Sequence, residues 1–245
     1  MAINNLEQFC LQFKALLDQK PEWPKLQENG RAMLSELVSN NDWFKPTLSR
    51  LILDQDFLKN QWQSIDANEI QIYYSPDKTF TVRAYIWEPG ICYPIHDHGA
   101  WGIVGALFNQ IRERKFARMV DGLDVSHAEV KQIADATLAA GETTYVLPLN
   151  DGIHQMQAIN KQVAVSIHVY GAPVRKGFIQ HFDPHFKTAT RVYGPSINKK
   201  MLAIKTLGSV PEAWAEEVLN SALGSPEPDY VLQECRYALN KIRNE

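Results

Sequence analysis

Five side chains in two short stretches have the types and spacing for chemistry. In His96-Asp97-His98 the two imidazoles stand two residues apart, and in an extended strand such residues project from one face. Two imidazoles on one face make half a metal site, and imidazole suits iron, copper, nickel and zinc alike. The same pair on a solvated strand would bond to water or a neighbour instead. From Val163 to Tyr170 strict alternation puts Ser166, His168 and Tyr170 on one face and Val163, Val165, Ile167 and Val169 on the other. A hydroxyl, an imidazole and a phenol in series can form a hydrogen-bond relay, with Ser166 orienting His168 and His168 polarising Tyr170. An edge strand showing its polar face to water would have the same pattern.

The rest of the chain has to position these groups. Its 245 residues, 45% of them hydrophobic, suffice for one sizeable core with helical additions. Charges are balanced, 25 basic against 28 acidic for a net of -3, and no basic block points to nucleic acid or an anionic membrane. No apolar run is long enough to span a bilayer and no signal-peptide pattern is present. Cys10, Cys92 and Cys235 form no CxxC pair, which suits a reducing compartment, so a cytoplasmic location is expected.

Three segments follow from periodicity. From about Ile3 to Leu58, stripes such as Leu6, Phe9, Cys10, Phe13, Leu16, Leu17 and then Met33, Leu34, Leu37 predict about three helices, with Pro21 and Pro24 between them. After Ile70 the period becomes two. Thr79 to Trp87 alternates Phe80, Val82, Ala84, Ile86 with Thr79, Thr81, Arg83, Tyr85, Trp87, and short strands follow. Their breaks are Glu88 to Gly90, Asn109-Gln110, a turn over Val120 to Asp124, Ala140 to Glu142, Asn150 to Gly152, and Gly171 to Pro173. Seven or more such strands predict an antiparallel sandwich or barrel. Beyond Gly194 the helical period returns through Met201, Leu202, Ile204, Leu207, then Trp214, Val218, Leu219, Leu223, then Val231, Leu232, Cys235, Leu239, Ile242, with Pro211 near one start. The expected organisation is helices over 1–69, a barrel over 70–195 and a helical extension over 196–245. The last resembles one HEAT-type unit, a candidate surface for a protein partner or a second copy.

Gly90 leading to His96-Asp97-His98 has the spacing of the first cupin motif, and Gly141 through Pro148 to Gly152 and His154 that of the second. The resemblance implies a mainly β protein, a cupin double-stranded β-helix or jelly-roll barrel, in which His96, His98 and His154 converge on a metal. The glutamate that usually completes the first motif would fall at Gly102 or Ile103 and is absent. Three neutral imidazoles leave a cation's charge uncompensated, which favours an anionic ligand such as a thiolate.

HDHGAWGIVGAL, GIHQMQAIN and SIHVYGAP together resemble the thiol dioxygenase family, which includes cysteine dioxygenase and 3-mercaptopropionate dioxygenase, over roughly Ile70 to Pro184. The resemblance implies ferrous iron on His96, His98 and His154, a Ser166, His168, Tyr170 relay, and oxidation of a small thiol by O2 to a sulfinic acid. Nickel, zinc or copper would fit the same imidazoles.

Departures put the substrate in question. The cysteine that crosslinks to the active-site tyrosine in the mammalian enzyme would fall at Gly102, so Tyr170 is expected to stay unmodified; Cys92 is wrongly placed to substitute. The family's substrate arginine would lie near Tyr73 or Tyr74. Arg83, on the cavity-lining face with Tyr85 and Trp87, and Arg175 are the candidate replacements, with Tyr73 in the lining. A salt bridge from Arg83 to Glu69, Glu88 or Glu113 is the competing expectation. Tyr93 and Trp101 flank the histidines as pocket walls or packing, while His127, His181 and His185 receive no role, the last two lying after the last core strand. Two further functions compete with thiol oxidation: a metal-dependent cupin dioxygenase on a non-thiol substrate, and a metal- or ligand-binding cupin without turnover.

Overall fold

A computed structural model of the chain describes residues 3–61, 64–119, 127–210 and 212–244. The turn expected over Val120 to Asp124 and the proline at 211 lie outside them. Two compact units divide between Arg191 and Val192.

In the first unit, α1 (Leu6–Asp18) and α2 (Trp23–Ser39) lead to a 3-10 turn at Asp42–Phe44 and to α3 (Lys45–Leu53) and α4 (Gln55–Asn60). The Asn5 side chain caps α1 by accepting from the Gln8 N–H at 2.9 Å. Pro24 lies inside the first turn of α2, where its missing N–H costs no helical bond. The expected stripe is buried: Phe9, Phe13, Leu34 and Leu37 have no exposure.

Among the described residues eleven strands follow: β1 (Glu69–Tyr74), β2 (Phe80–Trp87), β3 (Ile95–His98), β4 (Gly102–Phe108), β5 (Ile111–Arg118), β6 (Val130–Leu138), β7 (Thr143–Val146), β8 (Leu149–Ala158), β9 (Ala164–Gly171), β10 (Phe178–Asp183) and β11 (Thr188–Tyr193). One sheet has the order β1-β2-β9-β4-β7, the other β11-β10-β3-β8-β5-β6. Pairing throughout is antiparallel. Apart from the β5–β6 hairpin, the chain from β2 to β10 changes sheet at every step. That alternation winds two strand pairs around a common axis, which is the double-stranded β-helix of the cupin barrel. The mainly β description needs qualification, because helical residues outnumber strand residues once both termini are counted.

Two faces of the first sheet do different jobs. Phe80, Val82, Ala84, Ile103, Val165, Ile167 and Val169 point outward and pack under α1 and α2. Tyr85, Trp87, Val104, Ala106 and Tyr170 point inward, toward Ile111, Met156 and Ala158 of the other sheet. Helix α2 lies so close to β4 that a Cβ on Gly30 would come within 2.5 Å of the Ile103 side chain.

Some boundaries differ from expectation. Asn150 to Gly152 do not break the chain, since β8 runs through them, started by Leu149 in the left-handed region (φ 60°). β10 and β11 extend the sheet beyond the strand that alternation marks as last, so His181 and its neighbours are part of the barrel. In β10 the buried positions include Gln180, which blurs the pattern.

The second unit contains α5 (Pro195–Leu207), α6 (Ala213–Leu223) and α7 (Asp229–Asn244). Met201, Ile204, Leu219, Val231, Cys235 and Leu239 form its interior. Leu202, Trp214 and Val218, expected on the packed faces, are about half exposed.

Phe13 joins the helices to the barrel through Phe80 and Trp101, at ring separations of 5.2 and 6.4 Å. Phe13→Ala should therefore cost about 3–5 kcal/mol, read as a lower urea midpoint for the transition followed by tryptophan fluorescence.

Candidate metal centre

β3 lies between β10 and β8, with His96 directly opposite His154 across the β3–β8 pair. The three imidazoles of His96, His98 and His154 offer ligand nitrogens all within 4.8 Å of one another, with ring centroids 4.7–4.9 Å apart. Each Nδ1 is engaged away from the cluster: His96 with the Pro94 carbonyl at 3.0 Å, His98 with the Gly152 carbonyl at 3.2 Å, and His154 with Glu113 Oε1 at 2.8 Å. These acceptors place the ring proton on Nδ1 and leave Nε2 with its lone pair. The Nε2 atoms of His98 and His154 are buried and have no hydrogen-bond partner among the described residues.

A buried polar atom without a partner costs about 1–3 kcal/mol. Two at one point indicate that something else satisfies them, and a divalent transition metal fits: the donors are neutral imidazoles and their orientation is fixed from behind. Burial, then the neighbouring imidazoles, hold the pKa values of His98 and His154 well below the usual histidine range, so both rings are neutral.

Asp97, between His96 and His98, points to the opposite side and has no exposure. Arg175 grips it bidentately, at 2.7 and 2.5 Å, and the Gln180 N–H donates to it at 2.7 Å. Val174 and Arg175 N–H groups also donate to the Gly99 carbonyl. Arg175 therefore anchors β3 through Asp97, and both of its terminal nitrogens are engaged there.

On the facing sheet, β9 sits between β2 and β4. Ser166 Oγ lies 2.7 Å from His168 Nε2, and His168 Nδ1 lies 2.8 Å from the Tyr170 hydroxyl. Trp87 Nε1 donates to Ser166 Oγ at 2.8 Å. Donor counting gives this chain a direction. Indole can only donate, so Ser166 Oγ accepts from Trp87; when the Ser166 proton then goes to His168 Nε2, the one acceptor beside it, His168 donates from Nδ1 to Tyr170. Tyr170 thus keeps its proton to give elsewhere. Burial holds that phenol well above the usual tyrosine pKa, and it holds the His168 imidazole neutral. The Tyr170 ring stacks 5.6 Å from His98, which places the relay beside the three histidines.

Gly102 pairs with Tyr170 across β4 and β9, and a Cβ there would stand 2.7 Å from the tyrosine ring. The missing side chain is what admits the ring.

The lining candidates divide. Tyr85 stacks on Trp87 at 5.6 Å and on His168 at 4.4 Å, and Tyr93 meets Trp87 edge-on at 4.8 Å. Tyr73 does not line the interior. A β-bulge between Gln71 and Tyr73 shifts its register opposite Val82, and its ring packs on Phe80 beneath the helices. Trp101 also lies on that outer side, against Phe13 and Trp23. Arg83 faces inward, with its guanidinium carbon 5.5 Å from the Tyr170 ring centre, and it forms the expected alternative salt bridge. Its Nη1 donates to both oxygens of buried Glu69, at 3.0 and 3.1 Å, and Tyr85 donates to the same carboxylate at 2.9 Å. Arg83 Nε is buried and unpartnered among the described residues.

Two groups beside the cluster escape a reading of local motifs. Glu113 of β5 is buried and bonds to His154, and Thr144 donates to its second oxygen at 2.8 Å. The alternation Ile111, Glu113, Lys115 in IRERKF was the available signal, since it places an acid among inward positions. His181 pairs with His96 across β10 and β3, with ring centroids 6.3 Å apart. Burial, then His96, pushes its pKa down to about 4.

The cysteine dioxygenase type I family matches residues 63–185. Similar solved structures include a cupin 2 conserved barrel domain protein from Salinispora arenicola, at 18% identity over 44% of this chain and 80% of that one, TM-score 0.32. Another is an RmlC-like cupin with a double-stranded beta-helix fold from Methanocaldococcus jannaschii, at 12% identity over 44% and 85%, TM-score 0.32. A third is the DMSP lyase DddQ from Ruegeria pomeroyi, at 12% identity over 40% and 41%, TM-score 0.30. The chain spans about two fifths of the lyase chains it matches. No helix among the described residues is long and apolar enough to cross a membrane. Because half of the sequence is matched, over the segment that carries the three histidines and the relay strand, the chain belongs to the cysteine dioxygenase type I family.

Proposed function

We propose that the protein is a non-haem, iron-dependent thiol dioxygenase that converts a small thiol carboxylate, of the cysteine or 3-mercaptopropionate type, into its sulfinic acid. The observation that carries this reading is the meeting, in one interior, of three imidazoles with inward Nε2 atoms and a phenol with a proton to donate. The net change is addition of both atoms of O2 to the thiol sulfur, with no other reductant consumed. A ferrous ion held by His96, His98 and His154 would supply the common point at which thiolate and oxygen meet.

The chain's own residues do the rest. Tyr170 donates its hydroxyl proton toward the substrate side of the three imidazoles, and His168, held by Ser166 and Trp87, keeps that hydroxyl aimed. Arg83 offers the edge formed by Nε and Nη2, which Glu69 leaves unused because it takes only Nη1. That edge has the geometry for a bidentate bond to a substrate carboxylate. Glu69 and Tyr85 hold the guanidinium in place, while the rings of Tyr85, Trp87 and Tyr93 supply an apolar wall.

Oxygen uptake and sulfinate formation, followed across a panel of small thiols with iron-reconstituted protein, test the reading. His154→Ala should abolish both, and turnover that survives it would contradict the proposal; metal analysis of protein purified without added metal shows whether nickel, zinc or copper takes the place of iron. Tyr170→Phe should lower kcat about 10²-fold, the usual loss for one donor aimed at developing charge. Arg83→Ala should raise KM for thiol carboxylates by at least about tenfold, the equivalent of roughly 1.4 kcal/mol, while leaving KM for 2-aminoethanethiol, which lacks the carboxylate, within about twofold.

A further inference from the structure

We infer that Glu113 is the anionic counterpart of the metal centre, acting through His154. The carboxylate expected in the first cupin motif is missing, with Gly102 and Ile103 in its place, and the Tyr170 ring occupies the room that a side chain at 102 would need. Three neutral imidazoles would then face a divalent cation with no protein charge to balance it. The structure supplies a carboxylate one bond further out. Glu113 is 2% exposed, and its Oε1 lies 2.8 Å from His154 Nδ1.

The three histidines are unequal in this respect. His96 and His98 give their Nδ1 protons to the neutral carbonyls of Pro94 and Gly152, whereas His154 gives its proton to a carboxylate. A charged acceptor makes the stronger bond and increases the basicity of the opposite ring nitrogen. Glu113 therefore fixes the His154 tautomer and ring plane and makes it the strongest donor of the three. Its second oxygen accepts from Thr144 at 2.8 Å, and the Lys115 ammonium stands 3.8 Å away. Lys115 itself donates to the Tyr145 carbonyl at 2.7 Å, so it reduces the negative charge at Glu113 without occupying the oxygen that holds His154. By this assignment Glu113 is a positioning residue.

Glu113→Gln keeps the shape and an oxygen for His154 but removes the charge. Titration of the full-length apoprotein with ferrous iron and with cobalt(II), against a competing chelator, should show affinity lower by about 10- to 100-fold and a shifted cobalt d–d band. Lys115→Met, which removes the ammonium that burial-strained Glu113 leans on to stay ionised, should change the affinity for both metals measurably from the parent's. Glu113→Gln protein with the parent's circular dichroism, affinity and d–d spectrum would overturn the assignment. If that variant does not fold, metal affinity in Lys115→Met identical to the parent's would do so. Neither measurement involves a substrate, so a failure of the thiol reading would leave this result intact, and the reverse holds too.

Discussion

Three imidazole nitrogens brought together at one point, those of His98 and His154 buried, are the constraint on which the barrel is built. Left alone they would repel, and each would lack the hydrogen bond it had in water. The fold nevertheless ties each Nδ1 to an acceptor behind it, so no ring can turn to find another partner. The surroundings are arranged to keep that arrangement rigid. Asp97 is clamped on the reverse side of the same strand by Arg175 and by the Gln180 amide, so both histidines of β3 are held from their shared neighbour.

The facing sheet contributes polarity in the directional sense. A donor-only indole at one end and a phenol at the other make Trp87, Ser166, His168 and Tyr170 a one-way series. Each acceptor is satisfied by the member before it, and the one proton left over belongs to Tyr170 at the end of the series. Glu69 plays a comparable part at the rim of this cluster, holding one nitrogen of Arg83 and the hydroxyl of Tyr85 and thereby setting where the remaining guanidinium edge points.

Much of this was legible locally. The two histidine positions of β3 and the three polar positions of β9 follow from a period of two, because a strand's faces are set by its own sequence. Longer-range information was not available there. Glu113 acquires its importance from the pairing of β5 with β8, which a residue-by-residue reading does not contain. Tyr73 lies on the outer side because one bulge in β1 inverts every face beyond it, and a bulge leaves no mark in the sequence period. The partner of Arg175 lies 78 positions earlier in the chain, and in β10 Gln180 occupies a buried place where an apolar residue would complete the rhythm, so neither feature has a local signature.

The central strand β9 is buried along its whole length, with hydroxyl, imidazole and phenol on one side and valine and isoleucine on the other. Sliding it by a single position would thrust those polar groups under the N-terminal helices and leave branched aliphatics in the interior. Such a chain would lose both its helix packing and its reactive groups together. Misassembly at this strand is thus self-censoring: the alternative pairing that would dismantle the hydroxyl–imidazole–phenol series also strips the N-terminal helices of their apolar seat.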